Sequence, residues 1–173
     1  GEVIVPNVPH SGLVAEGVGY INLTTFTQDA GENVGNALRS LKEKNPKLKG
    51  VILDLRGNGG GLLNEAINLV NVFVPKGEFV SSTKGKVPEW DISLKTQHAP
   101  VDSDIPVVVL LDSHSASASE VTSGALQDLD RAVIMGQRSY GKGLVQNTKE
   151  LGYNARIKLT TAKYYIPSGR CIQ

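Results

Sequence analysis

Apolar positions along this chain repeat in two ways. Val34, Ala37, Leu38 and Leu41 recur at helical spacing, which predicts a helix over Ala30–Lys44. A helical pattern also runs from Leu62 through Val74, and a third helix is predicted over Ser117–Gln127 with Val121 and Leu126 turned inward. Short, almost wholly apolar runs mark strands buried on both faces: Gly50–Leu55 (GVILDL), Pro106–Leu111 (PVVVLL) and Ala132–Gly136. Alternation predicts a strand over Gly17–Leu23, Phe79–Thr83 reads as another, and Leu144–Leu151 with Ala155–Tyr165 reads as an antiparallel pair turning around Gly152-Tyr153-Asn154. Two segments lack periodicity. Residues 1–16, with Pro6 and Pro9, read as a linker or irregular arm, and residues 84–104 read as a long loop or lid. Strand and helix alternate over the rest, which predicts an α/β core over residues 17–173 with a mostly parallel sheet finished by antiparallel strands.

Composition removes several function classes. The chain has 173 residues, 40% hydrophobic and 20% charged, enough for one sizeable core. Its formal charge of +1, from 18 Lys and Arg against 17 Asp and Glu, supplies no strong field for nucleic acid or an anionic membrane, and 5% aromatic residues leave no stacking platform for bases. Nucleic acid is therefore not an expected partner. The lone Cys171 rules out an internal disulfide and a cysteine zinc cage, while His10, His98 and His114 are too scattered for a local metal motif. Chemistry without metal or cofactor is the expectation. The longest apolar runs are far shorter than a bilayer crossing, and no signal segment opens the chain. Its start in an extended-looking stretch and its stop just after a turn signal read as an excised piece of a longer protein.

Three loops hold the polar residues worth testing. Arg56–Gly61 (RGNGGG) joins a buried strand to a helix, so its exposed amides suit an anion. It matches neither the dinucleotide fingerprint nor the phosphate loop, because Leu62-Leu63 stand where a lysine belongs. The same amides suit a developing oxyanion, and a tight glycine turn is the plain alternative. Asp54 and Arg56 read as partners of each other or braces for nearby backbone.

The second loop, SHSASASE, sets four hydroxyls before a helix. Ser117-Ala118-Ser119-Glu120 fits a capping box, in which the serine is a helix cap; a serine there is also where a nucleophile gains from free amides. No G-x-S-x-G elbow is present, and His114, three residues ahead of Ser117, is a poor triad base that reads as an exposed loop residue. In the third loop Lys142 lies between Gly141 and Gly143 in SYGKGLVQ. A lysine serves as a base if burial lowers its pKa from about 10.4 towards neutrality; otherwise it is an exposed turn residue.

The blocks DLRGNGGG, SASASE, GALQD, YGKGLVQ and LTTAKYYIPSGR, in this order, resemble the signature of the C-terminal processing (tail-specific) peptidases, serine proteases of the S41 type. The likeness runs from about Gly17 to the end. It implies a ClpP/crotonase-like layered core, with Ser117 as nucleophile and Lys142, 25 residues later, as general base. Gln146 is implied to orient the lysine amine, and the amides of Ala118 and Gly61 to hold the oxyanion. The resemblance further implies cleavage of proteins recognised by apolar C-terminal tails, in the periplasm or cell envelope, without a cofactor. A non-catalytic peptide- or ligand-binding module on the same fold is the alternative. Two departures stand out: nothing in these residues houses the family's PDZ domain, and Cys171 stands where relatives usually carry serine. An isolated core of this kind is expected to be poorly active or to pair with a second copy that covers its exposed edges.

Overall fold

The computed structural model describes residues 5–173; the first four residues of the predicted arm lie outside it. Two sheets and three helices form the fold. Strands β1 (His10–Ala15), β2 (Val18–Asn22), β3 (Gly50–Asp54), β6 (Val107–Leu111) and β7 (Ala132–Gly136) make one sheet in the order β1-β2-β3-β6-β7. Only β1 runs antiparallel to its neighbour; the other pairings are parallel. A second, antiparallel sheet has the order β5-β4-β9-β8, from β4 (Phe79–Gly85), β5 (Ile92–Lys95), β8 (Leu144–Gly152) and β9 (Ala155–Tyr165). The helices are α1 (Ala30–Lys44), α2 (Leu63–Phe73) and α3 (Ala118–Asp128). This is the predicted α/β class, a mostly parallel sheet with a terminal antiparallel pair.

The core follows from the apolar runs. Parallel register sets Ile21 beside Leu53, Leu53 beside Val109 and Val109 beside Ile134. The first three are fully buried, and Val34, Leu38 and Leu41 of α1 are buried with them. The runs 50–55 and 106–111 read as continuous because both faces are apolar, although Ile52, Val108 and Leu110 on one face are only half-buried.

Three expectations need correction. Ala132–Gly136, read as buried on both faces, is the edge strand β7, with Val133 and Met135 exposed. Residues 10–15, read as part of an irregular arm, form β1 against β2. Residues 84–104, read as an unstructured loop or lid, hold a short 3-10 turn (Pro88–Trp90) and β5 against β4. β1 and β5 are also edge strands, largely exposed, so neither carries the apolar signature that core strands must have. Among the described residues no helix is long and apolar enough to cross a membrane.

The topology decides where chemistry gathers. The glycine loop leaves the C-terminal end of β3, the serine loop that of β6 and the lysine loop that of β7. These strands are adjacent and parallel with β6 in the middle, so all three loops rise from one edge with the serine loop between the other two. The carboxyl ends of parallel strands are where α/β sheets place ligands.

Candidate active site

Of the four serines in the middle loop, two have structural duties. Ser115 and Ser119 are fully buried: Ser115 Oγ donates to the Leu55 carbonyl at 2.8 Å and Ser119 Oγ to the Asn58 carbonyl at 2.9 Å. Both bonds lash the serine loop to the glycine loop. Asp112 Oδ1 accepts from the N–H groups of Gly57, His114 and Ser115. Donation from Gly57, followed by that from His114 and Ser115, holds the Asp112 carboxyl below its usual value against the opposing effect of desolvation. His114 is exposed, as its sequence position implied.

Ser117 differs from its neighbours. It is half-buried and stands immediately before α3 with φ 54° and ψ −114°, a left-handed-side conformation that costs a non-glycine residue of order 1–3 kcal/mol. Its carbonyl accepts from the N–H groups of Glu120 and Val121, both at 2.9 Å. Because a trans peptide points its C=O and the following N–H in opposite directions, the Ala118 N–H faces away from the helix. The same logic applies in the glycine loop. The Gly60 carbonyl accepts from Phe26 N–H at 3.0 Å, so the Gly61 N–H faces away from the 26–61 bridge. Neither the Gly61 nor the Ala118 N–H has an acceptor among the described residues. A β-carbon at Gly60 would lie 2.8 Å from Ser117 Cβ and 3.0 Å from Ala118 N, so the glycine loop runs directly against the serine.

The lysine loop is tied down by its backbone. Tyr140 N–H donates to the Ser115 carbonyl at 3.0 Å, Gly141 N–H to Glu120 Oε1 at 2.5 Å, Lys142 N–H to Glu120 Oε2 at 2.8 Å and Gly143 N–H to Gln173 Oε1 at 3.1 Å. Glu120 is buried and also accepts from Ser139 Oγ at 2.7 Å and Ser117 N–H at 2.8 Å. Together with the Tyr140–Ser115 bond, it joins the serine and lysine loops. The capping-box spacing marks its tie to Ser117; no sequence signal marks its ties to residues 139–142.

The side chains are less close-knit. Lys142 is exposed, Gln146 is exposed on β8 opposite Thr160, and among the described residues no hydrogen bond links Lys142 to Ser117 or to Gln146. The structure thus brings together Ser117, Gly61, Ala118 and the Lys142 backbone, and leaves Lys142 itself exposed. Asp54 and Arg56 do pair: Arg56 Nη2 donates to Asp54 Oδ2 at 2.7 Å and Tyr20 Oη to the same oxygen at 2.6 Å. Among the described residues no three His, Cys, Asp or Glu side chains converge as a metal-binding group.

Comparison with known proteins adds to this geometry. The sequence model of peptidase family S41 matches residues 17–173. A carboxy-terminal-processing protease of Bartonella bacilliformis is 44% identical over 158 residues, covering 90% of this chain and 36% of that protein. A carboxyl-terminal-processing protease of Synechocystis sp. is 39% identical over 152 residues, 88% of this chain and 34% of that protein. Among solved structures, a photosystem II D1 C-terminal processing protease aligns with a TM-score of 0.81 at 32% identity, over 90% of this chain and 39% of that one. The chain spans about a third of the length of the curated relatives it matches.

Proposed function

This chain belongs to peptidase family S41, and from that premise we propose that it is the hydrolytic core of a serine endopeptidase of the carboxy-terminal-processing type, working through a Ser117/Lys142 dyad. Ser117 Oγ attacks the scissile carbonyl carbon and passes its proton to neutral Lys142 Nζ. The N–H groups of Gly61 and Ala118 receive the oxyanion. As the C–N bond breaks, the protonated lysine gives the proton to the leaving amine, and an ester joins the acyl group to Ser117. Water, deprotonated by the same lysine, then cleaves the ester.

The observation that carries this reading is the Ser117 backbone, held in a strained conformation beside two N–H groups with no acceptor among the described residues. A helix cap alone needs no such strain, because caps ordinarily adopt extended backbone. Lys142 is exposed in the free chain. In the proposed mechanism substrate laid across the loops strips water from its amine, and Gln146 takes up its orienting bond at that stage; catalytic hydrogen bonds are commonly loose before substrate arrives. The protease names of the relatives favour this reading over a non-catalytic binding module.

Substrates on this reading are proteins recognised by apolar C-terminal tails, met outside the cytoplasm in a periplasm or cell envelope. Pairing with a second copy through exposed edges is part of the proposal, and a solution-size measurement finding only monomer removes that part. The central test is hydrolysis of an unfolded protein or of a peptide with an apolar C-terminal tail, with Ser117→Ala and Lys142→Ala alongside the parent over a pH series. Loss of turnover in both variants, with activity in the parent rising with pH, is the expected result. Activity that survives Ser117→Ala overturns the assignment.

A further inference from the structure

The glycine loop contains one residue whose bonds reach beyond the turn itself. Asn58 is wholly buried, and both ends of its amide are used. Nδ2 donates to the Leu23 carbonyl at 2.8 Å, just beyond β2, and Oδ1 accepts from Gly60 N–H at 2.9 Å. Its main-chain carbonyl accepts from Ala116 N–H at 3.0 Å and from Ser119 Oγ at 2.9 Å. These partners bracket the two free amides. Gly60 precedes Gly61, while Ala116 and Ser119 stand on either side of Ser117 and Ala118.

We infer that Asn58 is the positioning residue of the oxyanion-binding pair, its side chain setting the Gly61 donor and its main-chain carbonyl setting the Ala118 donor; the inference rests on the reading of Ser117 as nucleophile. The chemistry of the position narrows the choice of residue. One donor and one acceptor must sit on the same short planar group. Aspartate supplies no donor for the Leu23 carbonyl, leucine supplies neither group, and glutamine is a methylene too long for a fully enclosed site. The anchor is also external to both loops. Leu23, just beyond β2, keeps its N–H on the Asp54 carbonyl of β3, so the amide ties the donor pair to the margin of the parallel core. Donors aimed before the charge develops are what make an oxyanion site effective, because no reorganisation is needed at the moment of reaction.

The test compares the parent with Asn58→Asp and Asn58→Ala. Misplacing one donor of such a pair lowers kcat by about 100-fold, with KM expected to hold within about two-fold. Affinity for a peptide boronic acid, which forms a tetrahedral adduct on the serine, falls by a similar factor. Binding of uncleaved peptide in a Ser117→Ala background stays as in the parent. A purely structural role gives another pattern, in which peptide binding, boronate binding and melting temperature fall together, and that pattern overturns the inference, as does unchanged kcat. A second measurement needs no turnover. In amide spectra of the nitrogen-15-labelled chain, Asn58→Ala moves or broadens the Gly60 and Gly61 signals, while those of Ala118, still held through the main-chain carbonyl, of β3 and of the later turns of α3 change little. Unchanged Gly60 and Gly61 signals overturn the inference whatever the activity. Turnover that persists in Ser117→Ala strikes instead at the nucleophile assignment, with the amide spectrum still deciding the role of Asn58.

Discussion

The backbone N–H groups of Ser117 and Lys142 donate to the same oxygen, Oε2 of Glu120, each at 2.8 Å. Its other oxygen receives Ser139 Oγ and Gly141 N–H. A buried acceptor-only group facing four donors has no isosteric substitute, since a glutamine amide in either orientation turns an N–H₂ toward two of them. Glu120→Gln is therefore expected to cost about 3 kcal/mol of stability, as buried donors lose a charged acceptor, and to lower turnover by at least about 100-fold by releasing the lysine loop from the serine loop. Denaturant unfolding and peptide cleavage check the two halves separately. Normal turnover in a chain that keeps its fold refutes the linkage.

Gly60 makes a sharper steric prediction. Its φ of 98° is a conformation that side chains resist, and a β-carbon there would lie 2.7 Å from the Ala116 carbonyl oxygen and 2.8 Å from Ser117 Cβ. Backbone on both sides leaves nothing flexible to yield. Gly60→Ala is expected to destabilise by about 2 kcal/mol and to abolish cleavage. Gly57 also has positive φ, at 71°, but a β-carbon there meets no atom within 4 Å. Gly57→Ala thus isolates the cost of backbone strain, about 1 kcal/mol by the same unfolding measurement, with cleavage largely kept.

Whether a feature could be read from the sequence followed how local its cause is. The spacing of Val34, Leu38 and Leu41 placed α1 at Ala30–Lys44, the bounds found in the structure. β5 escaped because it is exposed: Ile92 pairs with Thr83 at a sheet margin and remains 51% accessible, so its alternation reports no core. The Ser117–Glu120 capping spacing was legible for the same reason α1 was, being a contact within one helical turn. Glu120 to Lys142 is not such a contact, since it depends on β7 lying beside β6 and no spacing encodes that adjacency. Asn58 was hidden among glycines whose own backbone requirements accounted for the loop.

Asp54 offers a pH test. Burial alone would raise its carboxyl, but hydrogen bonds from Arg56 and Tyr20 and the Arg56 charge outweigh that and hold it below the usual carboxylate range. With the folded pKa below the unfolded one, Asp54 contributes stability that is complete above the unfolded value of about 3.9. That contribution is lost as pH falls through the folded pKa. Asp54→Asn is expected to be less stable than the parent at pH 7, with the gap closing under acid conditions below about pH 4. Unfolding free energies of both chains across that range check the sign; a gap that widens on acidification refutes it.

Arg131 tests whether stability and chemistry can be separated in this fold. It lies just before β7, at the end of the sheet opposite the three loops. Nε donates to the Phe73 carbonyl at 2.8 Å, and Nη2 to those of Ile105 at 2.7 Å and Asp102 at 3.2 Å, with the guanidinium 5.7 Å from the Phe73 ring centre. Phe73 ends α2, so its carbonyl is one that the helix itself cannot satisfy. A fork of fixed geometry serves three carbonyls at once, which the point charge of lysine does not. Arg131→Lys should therefore cost about 2 kcal/mol and lower the melting temperature by roughly 4–8 °C. The parallel core stands between this site and Ser117, so kcat measured well below the melting transition should match the parent. A fall in kcat at that temperature would mean that β7 transmits the loss to the lysine loop at its other end.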